Sequence, residues 1–93
     1  MVLKSRIRSS VVSVTTSATA IPTTALPGRQ SILIHNDGAA TVYIGTSTVT
    51  TTGATKGYPL AAGKDLPMDV GPNVVMYGIV VTGTVSVVIL EGT

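Results

Sequence analysis

The chain has no cysteine, phenylalanine or tryptophan, and its 93 residues include one histidine and four acids. The absence of cysteine excludes disulfide bonds, which commonly stabilise small domains. One histidine and scattered acids do not supply the several ligands that a metal site needs, so no metal and no cofactor are expected. A core must therefore be built from valine, isoleucine, leucine and alanine. Oligomerisation or docking into a larger assembly remains as the source of added stability.

Charge is also scarce. Charged residues make up 11% of the chain, against about 25% in ordinary soluble domains. Lys4, Arg6 and Arg8 lie in the first eight residues, and the remainder carries three bases and four acids. The body is therefore near neutral. An isolated sheet protein with so little charge would aggregate through its edges, which favours a role inside an assembly where those edges are covered.

The composition of the chain and the spacing of its glycines and prolines predict an all-β domain. Valine and threonine dominate, and both suit a pleated surface. Ten glycines and five prolines interrupt the chain, and no window has helical periodicity. No apolar run reaches the ~18 residues of a membrane span, so no membrane partner is expected. Seven or eight short strands indicate a single small β-sandwich, jelly-roll-like, with a small open β-barrel as the alternative.

Two hairpins are predicted. The first joins the apolar runs within Ser31–Gly45 through the turn Asn36-Asp37-Gly38, whose residue types tolerate left-handed backbone. His35 is then a strand-end residue bonded to this turn. The second hairpin joins 74–81 to 85–90. Because 74–81 is continuously apolar, it is expected to be buried on both faces, by the core and by a neighbour or the arm.

Alternation predicts three further features. Residues 9–20 form one strand, with Val12 and Val14 on its apolar side. Leu66, Met68 and Val70 face inward from a strand that Pro67 places at an edge or a bulge. The threonine-rich segment 46–57 is a loop or short edge strand anchored by Val49. Its Gly-Ala-Thr-Lys-Gly sequence lacks the spacing and the following helix of a phosphate-binding loop.

The division of the chain follows the charge distribution. Residues 1–20 are interpreted as an extended N-terminal arm with the first strand, and 21–93 as the sandwich body. The arm is interpreted as a docking strand on a neighbouring protein. Contact with nucleic-acid phosphate and a solubilising tail are the alternatives. Three bases without interleaved aromatic residues are few for nucleic acid, so no nucleic-acid partner is expected.

Nothing in the sequence has the arrangement of a catalytic site. A catalytic histidine needs a nucleophile or an orienting carboxylate, and a neighbouring Asp37 in a turn does not make a site. The prediction is that the chain is not an enzyme. A cupin-type metal enzyme would need several histidine and acidic ligands. A glycan-binding module using the loop 46–55 is the other rival, although it lacks exposed aromatic residues for sugar stacking.

A series of motifs runs through about 28–91: Gly28-Arg29, Ile32-Leu33-Ile34-His35-Asn36, Val42-Tyr43-Ile44-Gly45, Val49-Thr50, Gly57-Tyr58-Pro59-Leu60, Ala62-Gly63, Met76-Tyr77-Gly78, Gly83-Thr84 and Val85-Ser86-Val87. The order of these motifs resembles that of small all-β structural proteins of tailed-bacteriophage virions. It implies a capsid decoration (cement) protein, a head-fibre base, or a tail or baseplate component. Such proteins are commonly trimers, and several grip the capsid or a neighbouring protomer with N-terminal arms.

The resulting hypothesis is a homotrimeric capsid decoration protein on the virion surface, whose partner is the major capsid protein or another virion protein. It would stabilise the shell non-covalently through residues 1–20, by strand addition, apolar anchors and charge pairing with an acidic capsid surface. The predicted contact residues are Val2, Leu3, Lys4, Arg6, Ile7, Arg8 and Val11. The alternative is a tail, baseplate or head-fibre component with a receptor- or glycan-binding role.

Overall fold

The computed structural model describes residues 6–93 as a β-sandwich. Sheet A has the strand order β1-β8-β3-β6 and sheet B the order β2-β7-β4-β5, and all pairings are antiparallel. The described part of the chain contains no helix, which confirms the all-β prediction. The strands are β1 (Ile7–Val14), β2 (Thr19–Ile21), β3 (Ser31–Asn36), β4 (Val42–Gly45), β5 (Tyr58–Leu60), β6 (Asp65–Met68), β7 (Met76–Ile79) and β8 (Val85–Gly92).

The core lies between the two sheets. Alternate residues of the strands point inward, as a half-buried antiparallel sheet requires. The buried residues come from both sheets and form one cluster: Val14, Ile21, Ile32, Ile34, Val42, Ile44, Leu60, Met76, Val80, Val85, Val87 and Ile89. Two glycines permit close packing inside sheet B. A Cβ on Gly78 would lie 2.5 Å from Cδ1 of Ile21, and one on Gly57 would lie 2.7 Å from the backbone nitrogen of Ile44.

Both predicted hairpins are wrong. β3 pairs with β6 and β8 in sheet A, whereas β4 pairs with β5 and β7 in sheet B. The five residues 37–41 cross from one sheet to the other, and so do the five residues 80–84 between β7 and β8. Connections of this length fit either a hairpin or a crossing. Each apolar run buries one face against the shared core. Successive runs can do so because they lie in opposite sheets.

The Asn36-Asp37-Gly38 cluster serves the crossing in a way that the turn prediction did not anticipate. The Asn36 amide donates to the carbonyls of Ala40 and Leu60, both at 2.8 Å, and its side-chain oxygen accepts from Gly38 N–H. None of the three residues has a positive φ. Gly38 is instead close to its neighbour, since a Cβ there would lie 2.6 Å from Cγ1 of Val85.

Two other strand predictions need correction. The segment 74–81 is not a strand buried on both faces: β7 spans only Met76–Ile79, and Val74, Val75 and Val81 are 50%, 53% and 68% exposed. Residues 9–20 are not one strand, because β1 ends at Val14 and β2 starts at Thr19 in the other sheet. The alternating pattern correctly predicted that the Val14 side chain points inward. The same pattern continues past Val14, however, across a bend at which the chain passes into the other sheet.

Several local predictions are confirmed. β6, which contains Pro67, is an edge strand, and Leu66, Met68 and Val70 pack against the core. Val49 is buried. Gly28, Gly63 and Gly83 have positive φ, a conformation that glycine adopts without a Cβ clash. From Ile7 onward the chain is part of sheet A, and the predicted boundary between residues 20 and 21 falls inside β2.

Candidate functional site

An apolar surface lies on the outer face of sheet A. In the register, Val11 stands beside Val88, and Leu90 lies between Ser9 and Leu33, which is followed by Pro67. Ile7, at 58%, and Val11, at 64%, are largely exposed, and Pro67 is also exposed. Leu33, Val88 and Leu90 are half-buried. We call this surface the outer patch, consisting of Ile7, Val11, Leu33, Pro67, Val88 and Leu90.

The outer patch is unusual for the water-facing side of an antiparallel sheet, which normally carries polar residues. It reaches all four strands of sheet A and contains no charged residue. Serines 9, 13 and 86 lie beside it, and His35 and Asp65 lie at one margin. An apolar sheet face of this kind is a candidate interaction site.

The outer face of sheet B differs in character. Tyr43 lies beside Ile79 on one side and Pro59 on the other, and Tyr77 lies opposite Gly45. The Lys56 ammonium lies 5.7 Å from the centre of the Tyr43 ring, a cation–π distance. This face therefore presents aromatic rings and a cation, whereas the outer patch is aliphatic and uncharged.

The structure places four of the seven predicted contact residues and separates them into two kinds. Val2, Leu3 and Lys4 lie outside the described residues. Ile7 and Val11 face outward and belong to the outer patch. Arg6 and Arg8 instead bond within the chain: Arg6 donates to the Pro27 carbonyl, and Arg8 forms an ion pair with Glu91.

Arg8 belongs to a buried ionic cluster with Glu91 and Arg29. Glu91 Oε1 accepts from Arg8 Nη2 at 2.5 Å and from Arg8 Nε at 3.1 Å. Glu91 Oε2 accepts from Arg29 Nη1 and from the Leu26 N–H, both at 3.0 Å. The side-chain exposures are 35% for Arg8, 1% for Arg29 and 0% for Glu91.

The cluster links distant parts of the sandwich. Arg29 Nη2 donates to the carbonyls of Gly71 at 2.7 Å and Val74 at 2.6 Å. Arg8 Nη2 also donates to the Thr24 carbonyl. The connections before β3 and β7 are thereby fixed to strands β1 and β8. Burial raises the pKa of Glu91, but the bonds from Leu26, Arg8 and Arg29 outweigh burial, and the pKa lies below its ordinary value of 4.5.

This cluster was not predicted. Arg29 and Glu91 are separated by 62 positions and meet only because β3 pairs with β8. The signal available in the sequence was a charged residue beside an apolar run: Arg29 lies just before one run and Glu91 follows another. It does not identify a partner until the strand pairing is known. The Glu91 carboxylate and both guanidinium groups bond to one another or to backbone, although the Arg29 Nε is buried without a partner. We interpret the cluster as structural.

His35 is bonded, but to a strand rather than to the turn. Its Nδ1 lies 2.6 Å from Asp65 Oδ1 on the neighbouring β6, and Nε2 lies 3.8 Å from Asp37 Oδ1. Its predicted position at the end of a strand is correct, while its partner is a cross-strand neighbour. In residues 6–93 no group of three histidine, cysteine or acidic side chains is placed to hold a metal ion.

The loop 46–55 satisfies much of its own hydrogen bonding. The Thr50 hydroxyl donates to the Thr52 carbonyl at 2.7 Å, and Thr50 N–H donates to the Thr55 carbonyl at 3.1 Å. The Thr46 and Thr48 hydroxyls lie 3.1 Å apart. These internal bonds occupy groups that the glycan hypothesis would use.

Comparisons with known proteins give no identification. No family model, no curated protein and no solved structure matches the chain. Within residues 6–93, no helix is long and apolar enough to cross a membrane. The function is therefore argued from the outer patch, the topology and the motif resemblance.

Proposed function

We propose that this chain is a non-catalytic structural protein of a tailed-bacteriophage virion, which decorates the capsid and stabilises the shell by non-covalent contacts. The observation that carries the proposal is the outer patch, an uncharged apolar surface across all four strands of one sheet. A protein that functions by docking needs such a surface. The motif order in 28–91, which resembles virion proteins, supplies the kind of partner.

We also propose that the sandwich is a jelly roll. In the orders β1-β8-β3-β6 and β2-β7-β4-β5, the first strand pairs with the eighth, the second with the seventh, the third with the sixth and the fourth with the fifth. We assign this eight-stranded double sheet to the jelly-roll class. Only β4 and β5 are consecutive strands that pair, and every other connection passes from one sheet to the other. Viral capsid domains are among the proteins that use this architecture. That likeness supports the proposal by analogy, because one fold serves many functions.

The size of the patch sets what else the contact needs. Four strands about 4.8 Å apart and about 20 Å long present roughly 400 Å². A specific interface buries about 800 Å² on each partner. The outer patch is only part of this face, so it supplies less than half of the contact. The remainder is assigned to other residues, among them the predicted contact residues Val2, Leu3 and Lys4.

The structure changes the expected role of the basic residues. The Arg8 charge is paired with Glu91, and one Arg6 donor is bonded to Pro27. Charge pairing with an acidic capsid surface therefore falls to Lys4 and to Arg6, which is exposed and keeps its charge, while Ile7 and Val11 act as apolar anchors. Apolar docking dominates this contact, so it should resist added salt better than a charge-driven contact would.

The proposal is tested by adding purified protein to capsids of the encoding phage that lack it, and measuring bound protein after sedimentation. Leu33→Lys places a charge in the outer patch, and Ile79→Lys makes the same change at a half-buried outward position of an inner strand of sheet B. We expect Leu33→Lys to reduce occupancy at least tenfold and Ile79→Lys to bind like the unmodified protein. Circular dichroism verifies that both variants fold.

Two results would overturn the proposal. Absence of the unmodified protein from sedimented capsids at saturating concentration would remove the capsid role. Equal loss of binding in both variants would remove the outer patch as the docking surface.

A further inference from the structure

The four edges of the two sheets are not equally protected. The edge strands β5 and β6 each contain a proline, Pro59 and Pro67. The edge strand β2 has three residues and is followed directly by Pro22. The remaining edge strand, β1, has eight residues and no proline. Proline, short length and charged side chains are devices that keep an edge from pairing with another chain. β1 lacks the first two, and its one charged side chain, Arg8, is paired with Glu91.

The backbone of β1 has a row of groups available for pairing. Thr93 N–H donates to the Arg6 carbonyl at 3.0 Å, so this opposed pair is hydrogen-bonded. Bonded and non-bonded pairs alternate along an antiparallel ladder. The even-numbered residues of β1 therefore bond to β8, and the N–H and C=O groups of residues 7, 9, 11 and 13 face the free edge. Within residues 6–93, no loop or side chain bonds to those groups.

A groove accompanies this edge on its inner side. It has a volume of about 260 Å³ and is lined by β1 and by residues 22–24 of the following connection. The Ser10 hydroxyl lines the groove, is buried and has no hydrogen-bond partner. A buried hydroxyl without a partner is unfavourable, because it has lost its hydrogen bonds to water. An incoming strand with a hydroxyl at this position would satisfy it.

We propose that β1 pairs with β1 of a second copy of this chain, antiparallel, about a two-fold axis that passes beside Ser10. In this register Ser10 faces Ser10 of the other copy, Ser9 faces Val11 and Ile7 faces Ser13. The two Ser10 hydroxyls then bond each other, and about eight backbone hydrogen bonds form across the joined sheets. The proposal concerns self-association alone and does not depend on the capsid role.

The chemistry of β1 suits a copy of itself. Its outward side chains are Ile7, Ser9, Val11 and Ser13, which carry no charge. The one charged residue of β1, Arg8, points inward and is paired with Glu91. Bringing two such strands together therefore opposes no outward like charges, as a contact between identical surfaces requires.

The contact area sets the expected strength. Eight residues at about 3.4 Å each give an edge about 27 Å long. With a sheet about 10 Å thick, the two copies together bury roughly 600 Å², below the 1,200 Å² of a small stable interface. The dimer should therefore be reversible and depend on concentration.

The first test is sedimentation equilibrium of the full chain from about 1 µM to about 1 mM, a range chosen to detect a weak dimer. Ser9→Lys adds an outward lysine on the edge, and Ser86→Lys adds the same charge on inner strand β8 of the same face. We expect the unmodified chain and Ser86→Lys to form dimers with similar dissociation constants. Ser9→Lys should weaken the dimer at least tenfold. A chain that stays monomeric throughout, a trimer, or a Ser9→Lys dimer of unchanged affinity would overturn the proposal.

A cross-linking test fixes the register. The chain has no cysteine, so a single Ser10→Cys variant can form a disulfide only between copies. A non-hydrogen-bonded antiparallel pair has Cα atoms about 4.5 Å apart, within disulfide range. In Ser13→Cys the two thiols would be about 20 Å apart. We expect mild oxidation to link Ser10→Cys at least tenfold faster than Ser13→Cys. Equal rates, or faster linking in Val11→Cys, would overturn this register.

Both tests are made on the protein without capsids. An unmodified chain that stays monomeric and yet sediments with capsids would leave the docking proposal intact while the dimer proposal is lost. A chain that dimerises but does not sediment with capsids would leave the dimer proposal intact and remove the capsid role.

Discussion

Replacing Glu91 with glutamine should destabilise the fold more than any other single change in the ionic cluster. Glu91 accepts four hydrogen bonds and is fully buried, and its partner Arg29 has a side-chain exposure of 1%. Glutamine preserves the shape but removes the charge. It leaves the Arg29 guanidinium buried without an anion, which typically costs about 3–5 kcal/mol.

A loss of about 3–5 kcal/mol is a large fraction of the free energy of unfolding of the whole domain. A domain of this length has a free energy of unfolding of about 5–14 kcal/mol. One kcal/mol corresponds to about 4–8 °C in a domain of this size, so Glu91→Gln should lower Tm by at least about 12 °C. Arg8→Gln is the comparison within the cluster. Because the Arg8 side chain is 35% exposed and its loss leaves Glu91 paired with Arg29, it should cost only about 1 kcal/mol.

The assay is urea unfolding followed by far-ultraviolet circular dichroism, with a thermal scan of the same variants. A double variant, Arg29→Met with Glu91→Met, removes both buried charges and should recover part of the loss. The reasoning is refuted if Glu91→Gln costs less than Arg8→Gln. It is also refuted if Glu91→Gln costs less than about 1 kcal/mol, because the buried pair would then contribute no more than an exposed one.

Two further predictions concern acid and packing. The pKa of Glu91 is lower in the folded state than its ordinary value of 4.5. The contribution of the Glu91 charge to folding stability is therefore complete above that value and is lost as the pH falls through the folded pKa. Below pH 4.5, the free energy of unfolding should fall less steeply with pH in Glu91→Gln than in the unmodified chain. Gly57→Ala places a Cβ 2.7 Å from the Ile44 backbone nitrogen and should cost about 1–3 kcal/mol by urea unfolding. Gly63→Ala, which meets no atom within 4 Å, should cost only about 1–2 kcal/mol from its positive φ, and a larger loss at Gly63 than at Gly57 would contradict the packing argument.

The sequence predicted which residues of a strand point inward better than it predicted which strands pair with each other. A period of two determines which residues of β3 or β6 point inward, and proline at 67 marks an edge, because both signals are local. Strand pairing is not local. The five-residue connections 37–41 and 80–84 are short enough for hairpins, yet both cross between sheets. The deciding factor is burial of each run on a common core, which requires knowledge of the whole fold.

The same limit applies to the candidate site. Ile7 and Val11 were predicted as contact residues from the apolar character of the N-terminal region, and they belong to the outer patch. Leu33 and Leu90 were read only as strand residues, because their place in the patch depends on the pairing of β3 with β8. Arg8 was predicted to contact a partner, and its pairing with Glu91 depends on β1 lying beside β8.

The central position of β8 also determines when the protein can fold during synthesis. β8 is the last strand to leave the ribosome, yet it separates β1 from β3 in sheet A and pairs with both. Until it emerges, both neighbours lack their shared partner, and Arg29 lacks Glu91. Sheet B and the β3–β6 pair can form before β8 emerges, but sheet A cannot be completed until the eight residues of β8 are available.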